Sequence, residues 1–172
     1  MRIYVAGPLG FAEAGRVFHD TIVGSLERLG HEVIDPWQLT PKKKTDAAAE
    51  LPYGVKRRRA WRKLNREIAD NNRRGIDRCD AIVAVLDGAD VDSGTAAEIG
   101  YGYARGKKIL GYRGDFRLAG DNDGAVVNLQ VEYFIRESGG DIVTEIAALP
   151  AALKALASQP PRSRGGDVYS TG

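Results

Sequence analysis

Four carboxylates crowd one short stretch of this chain: Asp87, Asp90, Asp92 and Glu98. They follow the apolar run 81–86, whose continuity predicts a fully buried strand. A turn over 87–90 leads to a helix predicted to begin near Ser93 or Thr95, so Glu98 falls in or near its first turn. In an open α/β sheet, ligands bind beyond the carboxyl ends of the strands. The partial positive charge of a helix N-terminus favours an ionised carboxylate there, which suits a nucleophile better than an acid. A structural role competes. Thr95-Ala-Ala-Glu98 is also a capping box, in which the Glu side chain reaches back to the amide of the capping residue. Spacing alone leaves the two roles level. The three further acids, and the glycines that keep the approach open, weigh toward chemistry, because a cap needs one carboxylate and not four.

Other chemistries lack their residues. The loop after the first predicted strand, Ala6-Gly-Pro-Leu-Gly-Phe11, is neither a dinucleotide fingerprint nor a Walker A loop. No serine stands in a G-x-S-x-G elbow, and neither His19 nor His31 has the context of a hydrolase triad. Neither histidine has a Cys or acidic partner at ligand spacing, so no metal site and no cofactor are inferred. Carboxylate chemistry remains. An anionic Glu beside an Asp suits attack on an electrophilic sugar carbon, where it stabilises an oxocarbenium-like transition state and forms a covalent glycosyl intermediate. Acyl and phosphoryl transfer usually need an oxyanion hole, a metal or a phosphate cradle, and none is evident.

The elements that must position these residues alternate between strand and helix. Residues 2–6 predict a strand ended by Gly7-Pro8, and 11–29 a helix whose apolar positions are Phe11, Ala14, Phe18, Ile22, Val23, Leu26 and Leu29. A second strand follows at 31–34, then a polar segment over 37–54, too long for a connector and read either as a substrate-side lid or as a disordered insertion. A helix is expected over 55–74, with Gly75-Ile76 leading to the strand at 81–86. The Glu98 helix ends at Arg105-Gly106, a fourth strand covers 107–112, a helix 128–137, a short fifth strand 141–143 and a last helix 150–157. Such alternation implies right-handed crossovers and a parallel sheet covered on both faces. The expected fold class is a single doubly wound, Rossmann-like α/β domain over 1–157, with strand order 2-1-3-4-5. Its switch point, between the first and third strands, brings the Gly7-Pro8 loop and the acidic loop into one crevice.

Composition sets outer bounds. The 172 residues, 43% apolar and 28% charged, fit one globular domain. No apolar run reaches membrane-spanning length, and the chain enters a strand at once, so neither a membrane partner nor a signal peptide is expected. Cys79, the only cysteine, excludes an internal disulfide and agrees with a reducing cytoplasm; its place before a buried strand reads as an inert core thiol. Basic residues cluster at Lys42-Lys43-Lys44 and Lys56-Arg57-Arg58-Arg59, but net charge is only +2 and charge runs are usually solvated faces, so no nucleic-acid partner is expected. The tail 158–172, rich in Pro, Arg, Ser and Gly, is expected to be disordered or ordered by a partner subunit.

Ile3-Tyr-Val-Ala-Gly-Pro8, Asp77-Arg-Cys-Asp80, Asp92-Ser-Gly-Thr-Ala-Ala-Glu-Ile-Gly100 and Val127-Asn128-Leu129 together resemble the nucleoside 2-deoxyribosyltransferase family over about residues 2 to 145. The resemblance implies transfer of 2-deoxyribose between a deoxyribonucleoside and a free nucleobase through a covalent sugar–enzyme intermediate. It makes Glu98 the nucleophile, Asp92 the acid that binds substrate and assists proton traffic at the base, and Tyr4 the residue that orients Glu98. Gly7, Pro8 and Phe11 would shape the pocket, with Ser93 and Gly94 on its helix-terminal side. Asn128 would reach the sugar hydroxyls from a neighbouring subunit, implying a homo-oligomer with shared active sites. Some family members carry a base-contacting Asp where this chain places Asn72, and an amide both donates and accepts. Two rivals stand. Water could capture the glycosyl-enzyme, giving a nucleoside or nucleoside 5′-monophosphate N-glycosidase, for which Ser93 and adjacent amides could supply part of a phosphate cradle. A non-catalytic nucleotide-sensing module is the other, against which the carboxylates argue, since they repel anionic ligands.

Overall fold

A computed structural model describes residues 1–159. Its elements are β1 (Arg2–Ala6), α1 (Glu13–Arg28), β2 (Glu32–Ile34), α2 (Lys42–Ala49), α3 (Val55–Arg78), β3 (Ala81–Val85), α4 (Ser93–Ala104), β4 (Lys108–Tyr112), α5 (Leu129–Glu137), β5 (Ile142–Val143) and α6 (Leu149–Ser158). Short 3-10 turns occupy Leu9–Phe11 and Ile146–Ala148. The five strands form one parallel sheet in the order β2-β1-β3-β4-β5. That is the expected doubly wound α/β order, and it sets the switch point between β1 and β3.

Strand period explains the two cores. Ile3, Val5, Ala81, Val83 and Val85 point to one face, where Ile22 and Leu26 of α1 and Leu149, Leu153 and Leu156 of α6 cover them. Tyr4, Ala6, Ile82 and Ala84 point to the other, against Ile76 of α3, Ile99 of α4 and Val131 and Ile135 of α5. Successive side chains alternate between faces, so a strand covered on both sides must read as an unbroken apolar run. Tyr4 is the polar exception on its face, and its hydroxyl needs a partner.

Several boundaries differ from expectation. The first helix starts at Glu13, because Leu9–Phe11 forms a separate 3-10 turn and leaves Phe11 76% exposed. The 37–54 segment is not a disordered insertion: 42–49 form α2, which packs on α3 through buried Ala48 and a Lys44–Glu67 ion pair. Helix α3 runs through Gly75-Ile76 to Arg78. Gly75 permits this, since a Cβ there would lie 3.0 Å from Tyr4 Cε2 and 3.2 Å from Ile34 Cγ2. The missing side chain lets α3 pass close over β1, which decides where Asn72 sits. Ser158 closes α6, and the rest of the expected tail lies beyond the described residues apart from Gln159. No helix among the described residues is long and apolar enough to cross a membrane.

Candidate active site

Three elements converge on one carboxylate at the switch point. β1 supplies Tyr4, fully buried, whose hydroxyl donates to Glu98 Oε1 at 2.6 Å. α3 supplies Asn72, whose Nδ2 donates to the same oxygen at 3.4 Å. α4 carries Glu98 itself. Asn72 Oδ1 is buried and has no hydrogen-bond partner among the described residues, a state that a donor from a bound molecule would relieve. Burial pushes the Glu98 carboxyl above its ordinary value; the Tyr4 and Asn72 hydrogen bonds oppose that shift, and the negative charge of Asp92 reinforces it. Burial, then the charge of Glu98, also drives the Tyr4 phenol far upward, so Tyr4 stays a donor throughout the neutral range.

The capping question has a definite answer. Asp92, with extended φ −51° and ψ 134°, is the N-cap of α4; its Oδ2 accepts from Thr95 N at 3.0 Å and from Thr95 Oγ1 at 3.2 Å. The Thr95–Glu98 capping box is therefore not formed. Glu98 is the sixth residue of α4, beyond the first-turn amides whose field would favour its ionised form. Burial instead outweighs the Tyr4 and Asn72 hydrogen bonds, so the shift runs opposite to the expected direction. Nor do the four acids form one cluster. Asp87 accepts from the amide of Asp115 at 2.8 Å, and Asp90 from its neighbour Val91 at 2.7 Å. Only Asp92 is felt electrostatically at Glu98.

The remaining expected residues surround this group unevenly. Gly7 ends β1 against Val85, where a Cβ would approach Val85 Cβ to 3.1 Å, and Pro8 starts the 3-10 turn. Phe11 meets Trp37 edge-on with ring centroids 4.8 Å apart. Gly10 lies beneath that indole, since a Cβ on it would fall 2.2 Å from the ring. Trp37 was missed by sequence reasoning, although the Trp after Asp35-Pro36 follows the β2 end as Gly7 follows β1. Ser93 and Gly94 are the exposed first residues of α4. Asn128 caps α5, accepting from Gln130 N at 3.1 Å, and makes no hydrogen bond to Tyr4, Asn72 or Glu98.

Nearby ionisable groups have structural partners. Asp70 pairs with Arg73 and Arg74, while Asp77 ties α3 to α4 through Arg105 and the Tyr101 hydroxyl. Burial pushes the Cys79 thiol up to about 11, fitting an inert core residue. Arg113 is buried and donates to the carbonyls of Leu86 and Gly88, bracing the turn that precedes Asp92. No group of three or more His, Cys, Asp or Glu among the described residues could hold a metal ion.

Residues 3–130 match the family model described as nucleoside 2-deoxyribosyltransferase. An uncharacterized protein of Schizosaccharomyces pombe is 28% identical over 199 aligned positions, covering 91% of this chain and 89% of its own length. Among solved structures, a 2-deoxyribosyltransferase from Leishmania mexicana superposes with a TM-score of 0.60 at 24% identity, covering 93% of this chain and 99% of its own. The 2-deoxyribosyltransferase of Bacillus psychrosaccharolyticus gives 0.61 at 22%, covering 87% and 90%. A CMP N-glycosidase from Clostridium botulinum gives 0.52 at 19%, covering 90% and 99%. At these identities the structural likeness speaks for the fold, which transferases and a glycosidase share.

Proposed function

Because the chain belongs to the nucleoside 2-deoxyribosyltransferase family, we propose that it moves 2-deoxyribose from a deoxyribonucleoside to a free nucleobase. The observation that carries this reading is the half-buried carboxylate of Glu98, held at 2.6 Å by Tyr4 at the switch point. In the proposed reaction, a Glu98 oxygen bonds to C1′ as the N-glycosidic bond breaks, and the base leaves with the bonding pair. Its proton comes through Asp92 or solvent. A second base then attacks C1′, releases Glu98 and gives up a proton by the same route. Glu98 must be ionised to attack. Tyr4 steadies that form by donating to one oxygen and leaves the other for the sugar.

Asn72 and Asp92 bear on the substrate. The buried, unpartnered Oδ1 of Asn72 calls for a donor such as the exocyclic amino group of adenine or cytosine. The Asp92 carboxylate occupies the Thr95 amide, so it places negative charge where a 5′-phosphate on the α4 terminus would sit. That supports an uncharged nucleoside over a nucleotide. Gly7, Pro8, Phe11, Ser93 and Gly94 form the proposed rim, and Asn128 the proposed contribution from a neighbouring subunit.

Incubation with deoxyinosine, with and without adenine, tests the reaction. Deoxyadenosine formed when adenine is present, with little free deoxyribose otherwise, is the expected outcome. Free deoxyribose released at one rate in both mixtures would establish the N-glycosidase instead.

A further inference from the structure

The first half of α3 carries the densest charge on the molecule. Residues 41–67 hold ten lysines and arginines against three acids, Asp46, Glu50 and Glu67, so the near-neutral total of +2 conceals a strongly basic face. Asp46 is taken by Lys42 and Glu67 by Lys44. The side chains of Lys56, Arg58, Arg59, Arg62, Lys63 and Arg66 make no hydrogen bond or ion pair with any described residue. Like charges at i,i+3 and i,i+4 repel, and no described residue supplies this group a counter-charge. The low net charge that argues against a nucleic-acid partner does not describe this face.

Its geometry suits a strand of phosphates. Arg58, Arg62 and Arg66 lie at i, i+4 and i+8, so their side chains leave one ridge at intervals of about 6 Å. Such a row matches successive charges along a polyanion better than it matches one small anion. A groove of about 430 Å³ runs beside the ridge, with Tyr53, Arg57, Trp61 and Asn65 in its lining. Tyr53 is 92% exposed, and the Arg57 guanidinium lies 4.3 Å from its ring centroid. An outward aromatic ring beside a cationic row combines the stacking platform and the electrostatic track that single strands require. A lipid surface fits less well. Leu64 is buried in the protein, and the exposed residues of the ridge, Arg58, Arg62 and Arg66, are charged where insertion needs an apolar stripe.

We propose that this face of α3 binds single-stranded nucleic acid, with phosphates along Arg58, Arg62 and Arg66 and a base stacked at Tyr53. The site is independent of Glu98 and its chemistry.

Fluorescence anisotropy of a labelled oligothymidylate of about 20 nucleotides tests this with the full chain. Three phosphate contacts predict a slope of about −2 in log K against log salt, so binding should weaken roughly twentyfold between about 50 and 200 mM salt. The triple variant Arg58→Gln, Arg62→Gln, Arg66→Gln should bind at least about tenfold more weakly and lose most of that slope. Tyr53→Ala should weaken binding about tenfold and leave the slope unchanged. The proposal is overturned if the triple variant binds as the parent does. It is equally overturned if the parent sediments with phosphatidylserine vesicles and shows no affinity for the oligonucleotide at low salt.

Discussion

Glu98 is pulled in opposite directions, by burial toward the neutral acid and by two hydrogen bonds toward the anion, and burial wins. Its folded-state pKa therefore lies above the ordinary 4.5. A raised carboxyl favours folding when protonated. That contribution is complete below 4.5 and is lost as pH rises through the folded-state value. Above the folded-state value the ionised side chain thus weighs against folding. Glu98→Gln, which keeps an acceptor for Tyr4, should melt higher than the parent at pH 7, by roughly 2–4 °C for each 1 kcal/mol relieved. The gap should close as pH falls toward 4.5. Thermal denaturation of both proteins across this interval checks it, and a lower melting temperature for the variant at pH 7 would mean the anion is stabilised by folding. Tyr4 and Glu98 were legible from their place in the resembling motifs. The direction of the Glu98 shift was not, since it depends on α3 closing over β1 at Gly75, a contact between residues 71 positions apart.

At the scale of elements, α4 is aimed by its cap. Asp92-x-x-Thr95 and Thr95-x-x-Glu98 have identical spacing, so sequence could not choose between them. The choice falls on the residue that keeps extended φ and ψ as the chain leaves β3, and that is Asp92. Asp92 then has two roles, cap and charge, which substitutions can separate. Asp92→Asn keeps the cap and should leave stability within about 0.5 kcal/mol, whereas Asp92→Ala should lose about 1 kcal/mol. If Asp92 handles protons at the base, both variants lose base exchange to a similar degree; an Asn variant as active as the parent would reduce Asp92 to a cap. The strands were readable because burial on both faces leaves unbroken apolar runs. Helix α2 was not, because Lys42–Ala49 has no apolar stripe and buries only Ala48, against a partner helix that a local pattern does not reveal. Trp37 was lost for the same reason: its meaning comes from Gly10 beneath it.

At the scale of the molecule, the doubly wound sheet brings β1, α3 and α4 to one crevice and leaves Asn128 at the head of α5, its side chain bonded, among the described residues, to its own helix alone. The shared-site reading assigns that residue to the crevice of another subunit. Asn128→Ser, which retains a capping oxygen, and Glu98→Gln should each be nearly inactive alone. Mixing the two after dissociation and reassembly should restore part of the base-exchange activity, because some sites then receive an intact Glu98 and an intact Asn128. Mixed assemblies that remain inactive would place each site within one chain. The same scale separates two faces of α3: Asn72, toward its C-terminal end, meets Glu98, while Arg58, Arg62 and Arg66 face outward without partners among the described residues.

The claim on which the account turns is that Glu98 becomes covalently bonded to the sugar. Intact-protein mass spectrometry after acid quench, with deoxyinosine present and no acceptor base, measures this directly. A covalent Glu98 intermediate gives a mass increase of one 2-deoxyribosyl group, located by peptide mapping on Glu98 and discharged when adenine is added before the quench. Base exchange at full rate with no adduct, or with the adduct on another residue, would contradict it.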